Sequence, residues 1–185
     1  LHHFLSAYTL PRKPGTEPEY SNLGVSLLGR LLALRAGKEY EDLLKERVLL
    51  PLGMSSTSIR LSPEQLKRLA PGHDKDLLPV ENPEMKTLAA SGSVRTTVND
   101  LLTFLAAYLG YVETPLKQAM LYQLTFPRVP AESGPLRASS AQQGLGWKFR
   151  LISGREIGYI DGVKSGYRCA VTFDLERRTG VVVLA

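Results

Sequence analysis

The hydrophobic period of this chain changes part-way along, and that change limits the fold more than any single motif. Before about residue 125 apolar residues recur every three or four positions; after about residue 146 they alternate. Leu23, Leu27, Leu28, Leu31 and Leu34 form the apolar stripe of a helix capped by Ser21 or Asn22, and Gly37 is placed to end it. Glu39 to Leu50 reads as a second amphipathic helix, stopped by Pro51. Ser62-Pro63-Glu64 opens a short helical turn. Thr97-Val98-Asn99-Asp100 is a cap signal ahead of a helix from Leu101 to Leu109, which Gly110 closes. Between these lie an extended loop from Pro11 to Glu19, a polar surface excursion over 70–90, and a loop rich in Pro, Ser and Gly over 125–143. Strands are then predicted at Gly146 to Ile152, Glu156 to Asp161, Tyr167 to Asp174 and Gly180 to Ala185. Short connections favour antiparallel pairing. Helices first and a meander last give an α+β fold, helical over about 20–125 and stranded over about 146–185, rather than a doubly wound sheet.

Composition removes several function classes. The net charge of +5 is spread over scattered cations interleaved with acids, so no basic stripe marks a nucleic-acid partner. No apolar run approaches the ~20 residues of a membrane span. Cys169 is the only cysteine, which leaves no internal disulfide and no cysteine metal site; its apolar neighbours predict a small buried hydrophobe. His2, His3 and His73 make a poor ligand set, so no metal and no cofactor is expected. His73 reads as a solvated surface histidine. The first residues carry no signal-peptide pattern, and the closing Gly180–Ala185 run reads as a strand in which the chain stops.

Chemistry concentrates in Glu19-Tyr20-Ser21-Asn22-Leu23-Gly24. A tyrosine at a helix entrance, two residues before an asparagine, sets a phenol beside a carboxamide. Near cations a phenol's pKa falls below its reference ~10, which makes it a usable general base. The asparagine can donate to a substrate carbonyl and accept from a lysine. A half-buried tyrosine beside a capping residue gives the same letters. Ser91-Gly92-Ser93 is a small-residue turn, and Trp147 either lines a groove or covers the sheet edge.

The context of the Tyr-x-Asn stretch resembles a family. Pro14-Gly15-Thr16, Tyr20-Ser21-Asn22-Leu23-Gly24, Leu27-Leu28-Gly29, Pro51-Leu52-Gly53-Met54, Ala90-Ser91-Gly92 with Asp100-Leu101, Gly144-Leu145-Gly146-Trp147 and Phe173 to Val181 follow in the order used by serine hydrolases related to class C β-lactamases, penicillin-binding proteins and family VIII esterases. The resemblance covers nearly the whole chain. It implies a β-lactamase/DD-peptidase-like antiparallel sheet flanked by helices, and acyl transfer through a serine in a Ser-x-x-Lys helix. It also implies Tyr20 as general base/acid, Asn22 as the group orienting substrate or lysine, and an oxyanion held by two backbone N–H groups. The third family motif, Lys-Thr-Gly or His-x-Gly, aligns on Ile160-Asp161-Gly162 with Val163 N–H as oxyanion donor; a shifted register would use Lys164-Ser165-Gly166. The first register is preferred. In it Ile160 departs from the pattern, because it supplies neither cation nor imidazole, and Lys164 brings positive charge from a neighbouring position.

No serine in the sequence has a lysine three residues later, and Gly-x-Ser-x-Gly is also absent. The expectation is a partial serine hydrolase domain over 1–185 lacking its N-terminal portion and inactive alone, whose nucleophile lies outside these residues. Its partner would be a small-molecule or peptide acyl substrate: an ester, a β-lactam or a D-Ala-D-Ala peptide. The alternative is a non-catalytic relative that binds peptidoglycan or peptide ligands. An incomplete core predicts self-association. By resemblance the compartment is the cell envelope, the periplasm or the exterior, with the cytoplasm left open.

Overall fold

The computed structural model describes residues 2–16, 19–82, 88–130 and 141–185. The helices are α1 (His2–Ala7), α2 (Asn22–Ala36), α3 (Tyr40–Leu44), α4 (Leu50–Leu52), α5 (Pro63–Arg68), α6 (Ala89–Gly92), α7 (Val98–Tyr108) and α8 (Lys117–Thr125), with a π turn, Lys45–Leu49, joining α3 to α4. The strands are β1 (Gly72–His73), β2 (Pro79–Val80), β3 (Val129–Pro130), β4 (Gln142–Gln143), β5 (Lys148–Ile152), β6 (Arg155–Lys164), β7 (Tyr167–Asp174) and β8 (Thr179–Leu184). β1 and β2 form a small antiparallel pair, and β3 to β8 form one sheet in sequence order, antiparallel throughout.

The cap chemistry works as the sequence predicts. Ser21 caps α2 by accepting from Gly24 N, and Gly37 ends it in the left-handed region. Ser62 and Gln65 form a reciprocal capping box on α5, and Thr97 caps α7. The core lies between α7–α8 and one face of the sheet. There Trp147 meets Phe173 edge-to-face at 4.8 Å and Tyr108 at 5.3 Å, beside Phe149 and Leu105. Trp147 is therefore buried rather than lining a groove.

Four readings need correction. The leucine stripe of α2 does not face inward: Leu28, Leu31 and Leu34 are exposed, and Ser26, Gly29 and Ala33 are buried. Close approach decides this, because a Cβ on Gly29 would overlap Ala90 of α6, so the small residues take the contact. Pro51 does not stop the second helix. The wider π turn before it, with Leu50 N bonded to Lys45 O, leaves room for the ring, and the helix runs on to Leu52. Cys169 is exposed, not buried: it lies opposite Gly162, near the end of β6 where the pairing with β5 has already stopped at Tyr159. The excursion over 70–90 contains the β1–β2 pair. Parts of that excursion, of the Pro11–Glu19 loop and of the 125–143 loop fall outside the described residues.

Candidate active site

Tyr20 stands immediately before the α2 cap, and Asn22 is the first helical residue. Since Ser21 must turn outward to cap Gly24 N at 2.9 Å, its neighbours on either side come together: Tyr20 OH donates to Asn22 Oδ1 at 3.0 Å. The phenol is 78% exposed, open to a ligand rather than sealed in an apolar interior. Asn22 Nδ2 has no partner among the described hydrogen bonds of this pair and remains a donor for a carbonyl.

The geometry of β6 follows from two turns. Ser153-Gly154 and Ser165-Gly166 both have positive φ at each central residue (52° and 76°; 44° and 79°), the pattern of two-residue hairpin turns. Such turns make their flanking residues hydrogen-bonded pairs, here Ile152 with Arg155 and Lys164 with Tyr167. Counting back from Lys164, the amides of Gly162 and Ile160 also face β7, while those of Val163 and Asp161 face the other edge. The exchange of both bonds between Arg168 and Ala185, at 2.7 and 2.9 Å, sets the same phase from the β8 side. β5 ends its pairing at Tyr159. Among the described residues, therefore, the N–H and C=O of Asp161 and Val163 look out from an open strand edge.

Side chains divide by the same alternation. Ile160, Gly162 and Lys164 share the sheet face of Val171 and Phe173, toward the helices. Ile160 is 41% exposed, an apolar side chain at the surface. Asp161 and Val163 point to the opposite face, where Asp161 pairs with Lys148 Nζ at 3.3 Å and Val163 is exposed. Lys164 Nζ donates to Gly92 O of α6 at 2.9 Å. Partial loss of water, then the positive charge of Arg95, hold the Lys164 ammonium below its usual pKa.

The structure gathers the sequence-predicted residues into two groups. Asn22 opens α2 with Tyr20 just ahead of its cap, α2 packs on α6 at Gly29 and Ala90, and Lys164 joins α6 to the open edge of β6. No hydrogen bond runs directly from Tyr20 or Asn22 to β6 among the described residues. Sequence reasoning missed Arg95, whose guanidinium donates to Ile59 O, Ser93 O and Asn82 Oδ1. It also missed buried Glu41, which accepts from Ile59 N and Arg60 N. Only contact across 13 to 36 positions reveals such residues, so no local pattern could have found them. Among the described residues no three His, Cys, Asp or Glu side chains could hold a metal, and no helix is long and apolar enough to cross a membrane.

A family model described as Beta-lactamase matches residues 1–185. The chain belongs to the beta-lactamase family. Among its beta-lactamase relatives is the D-alanyl-D-alanine-carboxypeptidase/endopeptidase AmpH of Escherichia coli (strain K12), 34% identical over 172 residues, 88% of this chain and 43% of the relative. The Homo sapiens protein named Putative beta-lactamase-like 1 is 32% identical over 92% of this chain and 34% of its own length. The chain thus spans less than half the length of either of these two relatives. A solved D-alanine carboxypeptidase AmpC from Burkholderia cenocepacia superposes on all of this chain and 60% of its own, with TM-score 0.88 and 25% identity. A class C beta-lactamase superposes with TM-score 0.85 at 22% identity, covering 99% of this chain and 56% of that one. The expected fold is the observed one: the antiparallel sheet and helices form part of a β-lactamase/DD-peptidase fold, and the relatives carry further chain beyond the part matched.

Proposed function

We propose that these residues form one partial serine hydrolase domain of a protein that cleaves an ester, a β-lactam or a D-Ala-D-Ala type bond through an acyl-enzyme. The carrying observation is the pair Tyr20 and Asn22, hydrogen-bonded at 3.0 Å and open to solvent at the head of α2. Tyr20 is the general base/acid and Asn22 orients the substrate carbonyl. The stretch Ile160, Asp161, Gly162, Val163 and Lys164 lines the substrate, with Val163 N–H as one oxyanion donor. No Ser-x-x-Lys occurs in the 185 residues, so the nucleophile is assigned to sequence outside them.

In the proposed cycle the serine oxygen bonds to the carbonyl carbon, and its proton passes through the motif's lysine and Tyr20 to the leaving group as that bond breaks. Water then attacks the acyl-enzyme by the reverse relay. The test uses the full-length gene product with nitrocefin and p-nitrophenyl acetate. Tyr20→Phe is expected to lower kcat about 10²–10⁴-fold, the usual share of proton transfer; undiminished turnover refutes the assignment. Ile160, in the motif's cationic position, favours a second reading, a binding protein that no longer turns over. Binding of peptidoglycan peptides with neither turnover of these substrates nor covalent labelling by a fluorescent penicillin would support it, and labelling or steady turnover of either substrate would remove it.

A further inference from the structure

Lys164 ends β6 and Gly92 ends α6, and the 2.9 Å bond from Lys164 Nζ to Gly92 O joins these two elements among the described residues. The next carbonyl, Ser93 O, accepts from Arg95 Nη1 at 3.1 Å. Arg95 is itself held on several sides. Its guanidinium donates to Ile59 O at 2.9 Å and Asn82 Oδ1 at 3.0 Å, and its backbone exchanges hydrogen bonds with Ser58 at 3.0 and 2.8 Å. Glu41 pins the same 58–60 segment from behind through Ile59 N and Arg60 N. Two successive carbonyls at the end of α6 are therefore gripped by cations, one from the sheet and one from the helical side.

Neither cation is spent on a carboxylate among the described residues: their donors go to backbone carbonyls and one amide oxygen. Each cation already donates to a main-chain carbonyl at the end of α6, and Ser93 is buried, so leaving its carbonyl unpaired would be costly. α6 in turn seats on α2 where Gly29 meets Ala90, about two helical turns from Asn22. The chain of contacts thus runs from the open edge of β6, through Lys164 and α6, to the helix that carries Tyr20 and Asn22.

Building on the proposed function, we infer that Lys164 and Arg95 are positioning residues: together they brace α6 and so fix the separation between the Val163 edge and the Tyr20–Asn22 pair. Lys164 acts through α6 rather than by binding substrate. It deepens the reading of the same site, because the brace matters to catalysis only if the two walls act on one substrate.

The experiment compares Lys164→Met, Lys164→Arg and Arg95→Met in the full-length gene product, with kcat and KM for neutral p-nitrophenyl acetate and anionic nitrocefin. A brace predicts that Lys164→Met lowers kcat by the same factor on both substrates, about tenfold for a sub-ångström displacement of one wall. Lys164→Arg restores most of it, and Arg95→Met acts in the same direction. A loss confined to nitrocefin and carried by KM overturns the inference and makes Lys164 a substrate ligand; less than a twofold change on both substrates also overturns it. Hydrogen exchange at the amides of 89–93 gives a readout independent of turnover. Faster exchange in Lys164→Met and Arg95→Met supports the brace and unchanged exchange refutes it, even if the protein hydrolyses neither substrate and the proposed function fails.

Discussion

Removing the Glu41 carboxylate should destabilise the protein far more than a single-residue loss on a helix surface. Glu41 is only 4% exposed. Its Oε1 accepts from Ile59 N at 2.9 Å and Arg60 N at 3.0 Å, its Oε2 from Arg60 Nε at 2.7 Å, and Lys45 Nζ lies 3.2 Å away. Glu41→Ala leaves two half-buried backbone donors without an acceptor, at about 1–3 kcal/mol each. The Arg60 guanidinium is largely in water and adds little to that loss. The expected cost is about 3 kcal/mol, or a Tm lowered by about 6–12 °C for a chain of this size. Glu41→Gln keeps one oxygen acceptor and should cost about half as much. Calorimetry and urea unfolding at neutral pH measure both variants, and a Glu41→Ala variant within about 1 kcal/mol of the parent would refute the reasoning. Acid supplies a second arm. Burial alone pushes the Glu41 carboxyl up, but the backbone N–H groups of Arg60 and Ile59, then the Arg60 and Lys45 side chains, outweigh it and hold its pKa below the ordinary value. Its stabilisation is thus complete above the ordinary ~4.3 and is lost as pH falls through the lower folded value, so the gap between parent and Glu41→Ala should close in acid.

Two further outcomes follow from packing. Gly29→Ala should lower both Tm and kcat, since its methyl overlaps Ala90 and pushes α6 off α2 at a cost of about 1–3 kcal/mol. Adding Ala90→Gly should recover most of both, and a neutral single variant would show that the contact is not tight. The 185 residues expressed alone should self-associate in light scattering through the exposed leucines of α2 and the outer edge of β8, so a monomer near 20.4 kDa would contradict this.

Local chemistry made much of the fold legible. Ser21, Gly37, Ser62 and Thr97 announce helix ends because a cap is decided within four residues. The strand from Tyr167 to Asp174 is read to the residue, and β6 runs longer than Glu156 to Asp161 because its partner β7 carries the pairing on to Lys164. The α2 stripe misled because periodicity marks a helix but not which face is covered; a glycine and an alanine took the inner side. α8, with no capping side chain, has little in its sequence to signal it. At the site, Tyr20 and Asn22 were visible as adjacent chemistry, whereas Glu41 and Arg95 act across distant segments and have no local signature.

The outward-facing amides of Asp161 and Val163 have a consequence for how such a protein can change over time. A donor that belongs to the main chain survives every side-chain replacement except proline. On the proposed reading, side chains along β6 can therefore be replaced, and alter which molecules are accepted, while the polar contacts offered along that rim persist. New preference can arise here one substitution at a time.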